Sequence, residues 1–406
     1  MVFPQLSSRA LKTPPSPIRR LAGLASQAAA RGLHVCRLNI GQPDLRFPKV
    51  FQEGLDSTTQ PVLAYEASEG CPGLLDAWSK YLNAEYQLGL TGEQMLITMG
   101  ASEALIFSFM VCCDPGDEIL IFDPTYANYI GFSAIAGVRL VPLPCSLEEG
   151  FAIPTREEIE RFISPYTRAV LLCNPNNPTG AVCSDAQLSM LVELCREKEL
   201  FLIVDETYRE FVYDDVKARC IFELAPRDPN IIVVDSLSKR FSLCGARVGC
   251  LITWHPDLRQ AAFHIAQARL AAPTLEQRAG AYMMNAISPE YLVAAKKEYQ
   301  TRRDVTVTAL SRIEGVTTHS PQGGFYLLAR LPVVDAENFA IFLLKEFSHQ
   351  GATAFVAPAA GFYMHRDAGK NAVRIAFVLD AAEIERGIEV IAEGLKAYAL
   401  LEEQSS

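Results

Sequence analysis

The sequence predicts an α/β protein with a large unit, built on a mostly parallel sheet covered by helices, and a smaller α+β unit behind it. Three observations carry that expectation. Between about residues 95 and 255, short apolar runs alternate with helical patterns. The runs lack polar alternation, as strands buried on both faces require. Half of the 406 residues are hydrophobic and 21% are charged, which allows a large core and excludes extended disorder.

The elements follow in order. A helix near 18–30 belongs to an N-terminal arm, 1–45, that packs with the smaller unit or with a partner. The large unit spans 46–290. Its strands are expected at 118–122, 139–142, 169–173, 201–204, 231–235 and 249–253. Helical patterns lie between them at 102–113, 126–136, 155–162 and 184–198. After Pro273 a long helical stretch breaks near 287–289, where Ser288-Pro289-Glu290 reads as a new helix start, and continues to about Ile313. The small unit, 291–406, then offers strands at 325–330, 354–356 and 373–377 and helices at 336–348 and 381–400.

Charge and cysteine usage narrow the class of function. Thirty-seven basic against 47 acidic side chains leave a net charge of −10, which repels phosphate backbones and argues against a nucleic-acid partner. No window approaches the ~18 apolar residues a membrane span needs. The first 40 residues are basic, but Pro14, Pro15 and Pro17 interrupt any amphipathic targeting helix, and a cytoplasmic protein is expected. Eleven cysteines without a CxxC pair fit neither a zinc site nor a disulfide framework, so no metal is expected.

Five segments carry side chains suited to chemistry. Asp235-Ser236-Leu237-Ser238-Lys239-Arg240-Phe241 sets a lysine just beyond a buried strand, and Gly245-Ala246-Arg247-Val248-Gly249 follows. A lysine amine is nucleophilic only when deprotonated, which a desolvated, cationic neighbourhood favours. Arg247 and the serine hydroxyls together suit a phosphate monoester. Leu202-Ile203-Val204-Asp205-Glu206-Thr207-Tyr208 ends a strand on Asp205, where crevices open in parallel sheets. A carboxylate buried there stays ionised only with a cationic partner. Two Asn-Pro steps make Asn174-Pro175-Asn176-Asn177-Pro178-Thr179-Gly180 a rigid turn that can hold the Asn177 amide against a ligand. Thr98-Met99-Gly100-Ala101-Ser102-Glu103-Ala104 opens a helix whose free N–H groups suit an anion, without the GxGxxG spacing of a dinucleotide site. Asp123-Pro124-Thr125-Tyr126 puts an aromatic ring beyond another strand end. Taken singly, the first four segments also read as ordinary structure: a surface turn, a capping acid, a plain turn, a Ser102 N-cap.

Together, in this order and spacing, these segments resemble the class I/II aminotransferases, pyridoxal 5′-phosphate enzymes of fold type I, over nearly the whole chain. The likeness is nearest to bacterial aspartate aminotransferase-like enzymes, through Pro-Pro-Ser-Pro-Ile-Arg and Asn-Pro-Asn-Asn-Pro-Thr-Gly. The resemblance implies a ping-pong transfer of an amino group between an L-amino acid, aspartate favoured, and a 2-oxo acid. Lys239 would carry the cofactor covalently and later move the proton, and Asp205 would pair with the pyridine nitrogen. Asn177 and Tyr208 would donate to the phenolic oxygen, and Tyr126 would stack on the ring. Ala101, Ser102, Ser236, Ser238 and Arg247 would hold the phosphate. Tyr65 would reach the phosphate of a neighbouring subunit, making a homodimer with shared sites.

Gly41 and Arg374 would bind the substrate carboxylate and Asn177 would help orient the substrate; Arg374 is an arginine inside an apolar strand that needs an anion in any case. Gly323-Gly324-Phe325-Tyr326 would line the cleft. A lysine that reads the distal carboxylate in one branch of the family is replaced here by Ser102, which leaves Arg269, Arg19 and Arg20 as candidates. A lyase, cyclase or oxidase on the same scaffold is the alternative, and a non-catalytic aminotransferase-like regulator a third.

Overall fold

β1 (His34–Arg37) stands apart from the next seven strands, which pair into one sheet: β2 (Met95–Thr98), β3 (Glu118–Asp123), β4 (Arg139–Pro144), β5 (Thr167–Cys173), β6 (Phe201–Asp205), β7 (Ile231–Ser236) and β8 (Gly249–Thr253). Their order is β2-β8-β7-β6-β5-β3-β4, in a computed structural model that describes residues 4–59, 61–217, 219–365 and 367–405. All neighbours run parallel except β8, which is antiparallel to both β2 and β7. Side chains alternate between the faces, so each strand feeds two cores. Ile121, Leu171, Ile203, Val234 and Leu251 enter one; Leu120, Leu172, Val204, Val233 and Ile252 enter the other. Helices cover both sides, Gly100–Cys112 and Pro256–Arg269 on the first, Pro72–Tyr86, Asp185–Glu197 and Thr274–Ala286 on the second. Double coverage explains the unbroken apolar runs.

Three elements of this layer, β2 and the helices Pro72–Tyr86 and Pro256–Arg269, lie outside the expected set. β2 is four residues long, and an apolar run that short has no period to separate it from the helix that follows at once. The helix Pro256–Arg269 buries only Leu258, Ala262 and Ala266, so its inward face carries little hydrophobic signal. Local chemistry sets several other bounds. Ser184 with Gln187 and Thr155 with Glu158 make reciprocal capping boxes that start two helices, each cap being worth about 1 kcal/mol. The helix expected near 18–30 begins at Ala22, after a first short helix at Ser8–Lys12, because the Ile18 carbonyl is taken by the Asn39 side-chain amide at 3.0 Å.

Behind the sheet, β9 (Thr317–Thr318), β10 (Tyr326–Arg330), β12 (Ala357–Pro358) and β13 (Ala372–Ala376) form an antiparallel sheet ordered β12-β13-β10-β9. β11 (Ala352–Phe355) pairs in parallel with β1, and the helix Ala381–Ser405 closes the chain. Among the described residues, no helix is long and apolar enough to cross a membrane.

Candidate active site

Four strand ends and two loops converge where β6 and β7 leave the sheet. β7 ends at Ser236, whose hydroxyl caps the short helix Leu237–Arg240 by accepting from the Ser238 N–H at 3.1 Å. Within that turn Leu237 points back into the core and Lys239 points the other way. The half-buried Lys239 amine donates to the Gly41 carbonyl at 2.8 Å and approaches Cys244 Sγ at 3.6 Å. It lies 6.0 Å from the centre of the Tyr208 ring, so it faces the cluster rather than open solvent.

Asp205 closes β6, the neighbouring strand, and is buried. Its carboxylate accepts from the Tyr129 hydroxyl at 2.8 Å, the Thr207 hydroxyl at 2.6 Å and the Thr207 N–H at 3.1 Å. Burial pushes this carboxyl above its usual range, and those donors pull it back only in part. Among the described residues no cation pairs with it.

Arg374 shows the opposite imbalance. It occupies the middle of β13, with 1% of its surface exposed. Nη1 donates to Asn177 Oδ1 at 3.2 Å and Nη2 to the Asn39 carbonyl at 2.6 Å, while Nε has no partner. The guanidinium sits between the Tyr326 ring, 4.3 Å from its centre, and the Phe362 ring, at 4.5 Å. Burial pulls its pKa down, resisted by Tyr326, Tyr208 and Tyr126 nearby, and no carboxylate among the described residues balances it. A buried acid without a cation and a buried base without an anion thus line one cleft, a costly arrangement unless a ligand supplies both charges.

Tyrosines join the two halves. The Tyr326 hydroxyl lies 3.0 Å from that of Tyr208 and donates to the Gly41 carbonyl at 3.3 Å, the same oxygen that accepts from Lys239. A Cβ at position 41 would come within 2.0 Å of the Tyr326 hydroxyl, so only glycine admits this approach. Tyr126, half-buried beside this cluster, packs edge-on against Tyr129 at 5.4 Å. Its hydroxyl is pushed upward by burial and by the nearby Tyr326.

An anion corner lies at the start of the helix Gly100–Cys112, where Ala101 and Ser102 sit in the first turn with unused N–H groups. The Arg247 side chain donates to the Met99 carbonyl at 3.1 Å and remains exposed. Ser236 and Ser238 bond to each other through their hydroxyls at 2.9 Å. A Cβ at Gly249 would lie 2.6 Å from the Ala101 nitrogen, so glycine there lets β8 run against this turn.

Other expected residues lie outside this constellation in the single chain. Tyr65 is 81% exposed, beside exposed Val62 and Leu63. Arg269 is engaged internally, donating to the Ile97 carbonyl at 3.0 Å and facing Glu103 at 3.3 Å. Arg20 pairs with Glu337, and Arg19 is exposed. Sequence reading missed Tyr129, Thr207, Asn39, Phe362 and Cys244. Only Thr207, within the Asp205–Tyr208 segment, carried a local signal.

The family model described as aminotransferase class I and II matches residues 34–391. An aspartate aminotransferase of Musicola paradisiaca is 30% identical, with 93% of each chain covered. A Thermus thermophilus aspartate aminotransferase solved with maleate has a TM-score of 0.87 and 26% identity, covering 97% of this chain and all of its own. An alanine aminotransferase from Pyrococcus furiosus has a TM-score of 0.89 and 27% identity over the same shares.

Proposed function

Because the chain belongs to the class I and II aminotransferases and is a transaminase of fold type I, we propose that it uses pyridoxal 5′-phosphate to pass an amino group from L-aspartate to a 2-oxo acid. The paired charge deficit carries this reading: a buried Asp205 awaits a cation, and a buried Arg374 awaits an anion. A protonated pyridine ring and an α-carboxylate supply one each. Aspartate is favoured by the names of the relatives, and an alanine enzyme of similar likeness keeps other amino acids in view.

Bound at this site, the cofactor would supply an aldehyde that captures amines and a ring that takes up the electron pair released at Cα. The residues suited to hold it are Ser236, Ser238 and Arg247, the Ala101 and Ser102 turn for phosphate, Tyr126 against the ring, and Asn177 and Tyr208 toward its phenolic oxygen. Arg374 clamps the substrate carboxylate, with the Asn177 amide and Asn39 carbonyl fixing the plane of its guanidinium. Asp205 keeps the ring nitrogen protonated by offering it a full negative charge in a dry setting. The Lys239 amine would accept the Cα proton as general base and return it. Its tether at the Gly41 carbonyl keeps the amine beside the Arg374–Tyr326 wall, where Cα lies once the carboxylate is held. The exposed Val62–Tyr65 stretch would be covered by a second subunit in a homodimer, with Tyr65 reaching the partner's phosphate corner.

The deciding experiment is Lys239→Ala with borohydride trapping and single-turnover assay. The variant is expected to keep its fold, lose the reducible linkage and transaminate about 10⁴-fold more slowly or less. A normal rate would mean the nucleophile is misassigned. Stoichiometric oxo acid from one added amino acid, read by visible absorption across the common amino acids, distinguishes transamination from elimination and identifies the substrate.

A further inference from the structure

Away from Lys239, residues from opposite ends of the chain meet at a third kind of site. His34 and Cys36 are alternate residues of β1 and therefore face the same side. The helix Ala381–Ser405 lies across that side. A Cβ at Gly387 would come within 3.1 Å of the Cys36 Cβ, so the helix approaches as closely as a glycine permits. One turn earlier, Glu383 turns inward from the same helix face. Its Oε1 lies 2.6 Å from His34 Nε2, and the Cys36 thiol lies within hydrogen-bonding reach of the same carboxylate. The imidazole nitrogen, the thiol sulfur and the carboxylate oxygen all lie within 4.8 Å of one another.

We propose that His34, Cys36 and Glu383 bind a divalent transition-metal ion of the zinc class, with water as fourth ligand. Nitrogen, sulfur and oxygen from these three residue types are the donors such ions prefer. Tetrahedral bonds of roughly 2.0–2.3 Å place ligand atoms about 3.3–3.6 Å apart, which is within small side-chain rotations of the present positions. Cys36 and Glu383 together offer two negative charges to a dication. Burial and the Glu383 carboxylate raise the thiol to about 12, a penalty that a metal removes and that the neighbouring Arg386 already eases. The His34 side chain is half exposed, so it gives both an entry path and room for the water.

Binding is a ligand exchange without oxidation. The thiol proton leaves for solvent and the imidazole binds through Nε2 with its ring proton on Nδ1; five of the six waters of the aqua ion leave as three metal–protein bonds form, and one water stays. β1 runs directly into Asn39 and Gly41, whose carbonyls take Arg374 and Lys239. The metal would therefore pin the strand that enters the active site onto the C-terminal helix. Sequence spacing could not reveal this, because the third ligand lies at the far end of the chain.

The test is equilibrium dialysis of the full chain, purified with chelator, against Zn²⁺ and then Co²⁺. One metal per chain is expected, with the strong visible d–d bands of four-coordinate Co²⁺ and a thiolate charge-transfer band. His34→Gln and Cys36→Ser should each weaken binding about 100-fold or more, since even outer-shell losses cost 10–100-fold. His34 is exposed at the surface, so His34→Gln keeps the fold and any loss it causes is a loss of ligand. Failure to bind Zn²⁺, an affinity in either variant equal to that of the unmutated chain, or a pale six-coordinate Co²⁺ spectrum would overturn the site.

Discussion

Asp205 and Asp235 lie at the ends of adjacent strands, equally deep, and on opposite faces of the sheet. On the far face, Asp235 accepts from Arg240 at 2.8 Å to each oxygen, from Arg209 at 3.1 Å and from the Trp78 indole at 3.1 Å. Arg240 also meets Glu210 at 2.8 Å, and Arg209 pairs with Glu206. Burial alone would raise Asp235, but the two guanidiniums overcome it and hold the carboxyl below its usual range. Asp205 receives hydroxyls and an amide but no cation, and it stays raised. Folding gives one buried aspartate its cations and leaves the other without any among the described residues. A buried ion cluster closed within the chain is structural, and a buried charge left open is where a charged ligand belongs.

The largest expected effect breaks the closed side. Asp235→Asn removes the carboxylate that Arg209 and Arg240 share and leaves both buried guanidiniums to Glu206 and Glu210 alone. It should lower unfolding free energy by about 3–5 kcal/mol, read by urea denaturation, with turnover of the folded fraction nearly kept. A loss below 1 kcal/mol would show that the cluster is not what holds this face together. Asp205→Asn should do the reverse. Turnover falls about 10²–10³-fold, as when one preorganised electrostatic partner is removed, while the cofactor-free chain is as stable as before or more so. Undiminished turnover would remove the electron-sink role from this residue.

The same short segment, Asp205 to Glu210, feeds both regions, and only half of it was legible in the sequence. Asp205 and Tyr208 belong to a motif with fixed local spacing at a strand end, so the pattern carried them. Glu206, Arg209 and Glu210 acquire meaning only against Asp235 on the next strand and Arg240 in the short helix after it, a pairing no local spacing encodes. Arg374 could be read because a charge inside an apolar strand is anomalous by itself. Its wall could not: Phe362 and Asn39 are ordinary residues in ordinary contexts until β13 packs between them. Tyr129 is similarly silent, an apolar-looking helix residue whose hydroxyl happens to end at Asp205. The sheet was read more fully because five of its strands are buried on both faces and long enough to show it, whereas Met95–Thr98, equally buried, is too short.

The smallest effect sharpens the comparison through pH, because the two aspartates tilt stability in opposite directions. In the cofactor-free chain, the raised Asp205 pKa means that the folded state keeps a proton the unfolded state has released. Its contribution is complete below the unfolded pKa of about 3.9 and is lost as pH rises through the folded value. Asp235 is depressed, so its contribution is present above the unfolded pKa and is lost as pH falls through the folded value. One group can contribute at most about 1.4 kcal/mol per pH unit to the slope. Asp205→Asn should therefore flatten the decline on the alkaline side, and Asp235→Asn should flatten the decline on the acid side, both measured by denaturant midpoints across pH. Saturating pyridoxal phosphate should abolish the Asp205 slope in the unmutated chain, because a protonated ring nitrogen supplies the missing cation. If the slope survives cofactor but disappears in Asp205→Asn, the carboxylate is titrating against something other than the ring, and the open side of the sheet has been assigned the wrong partner.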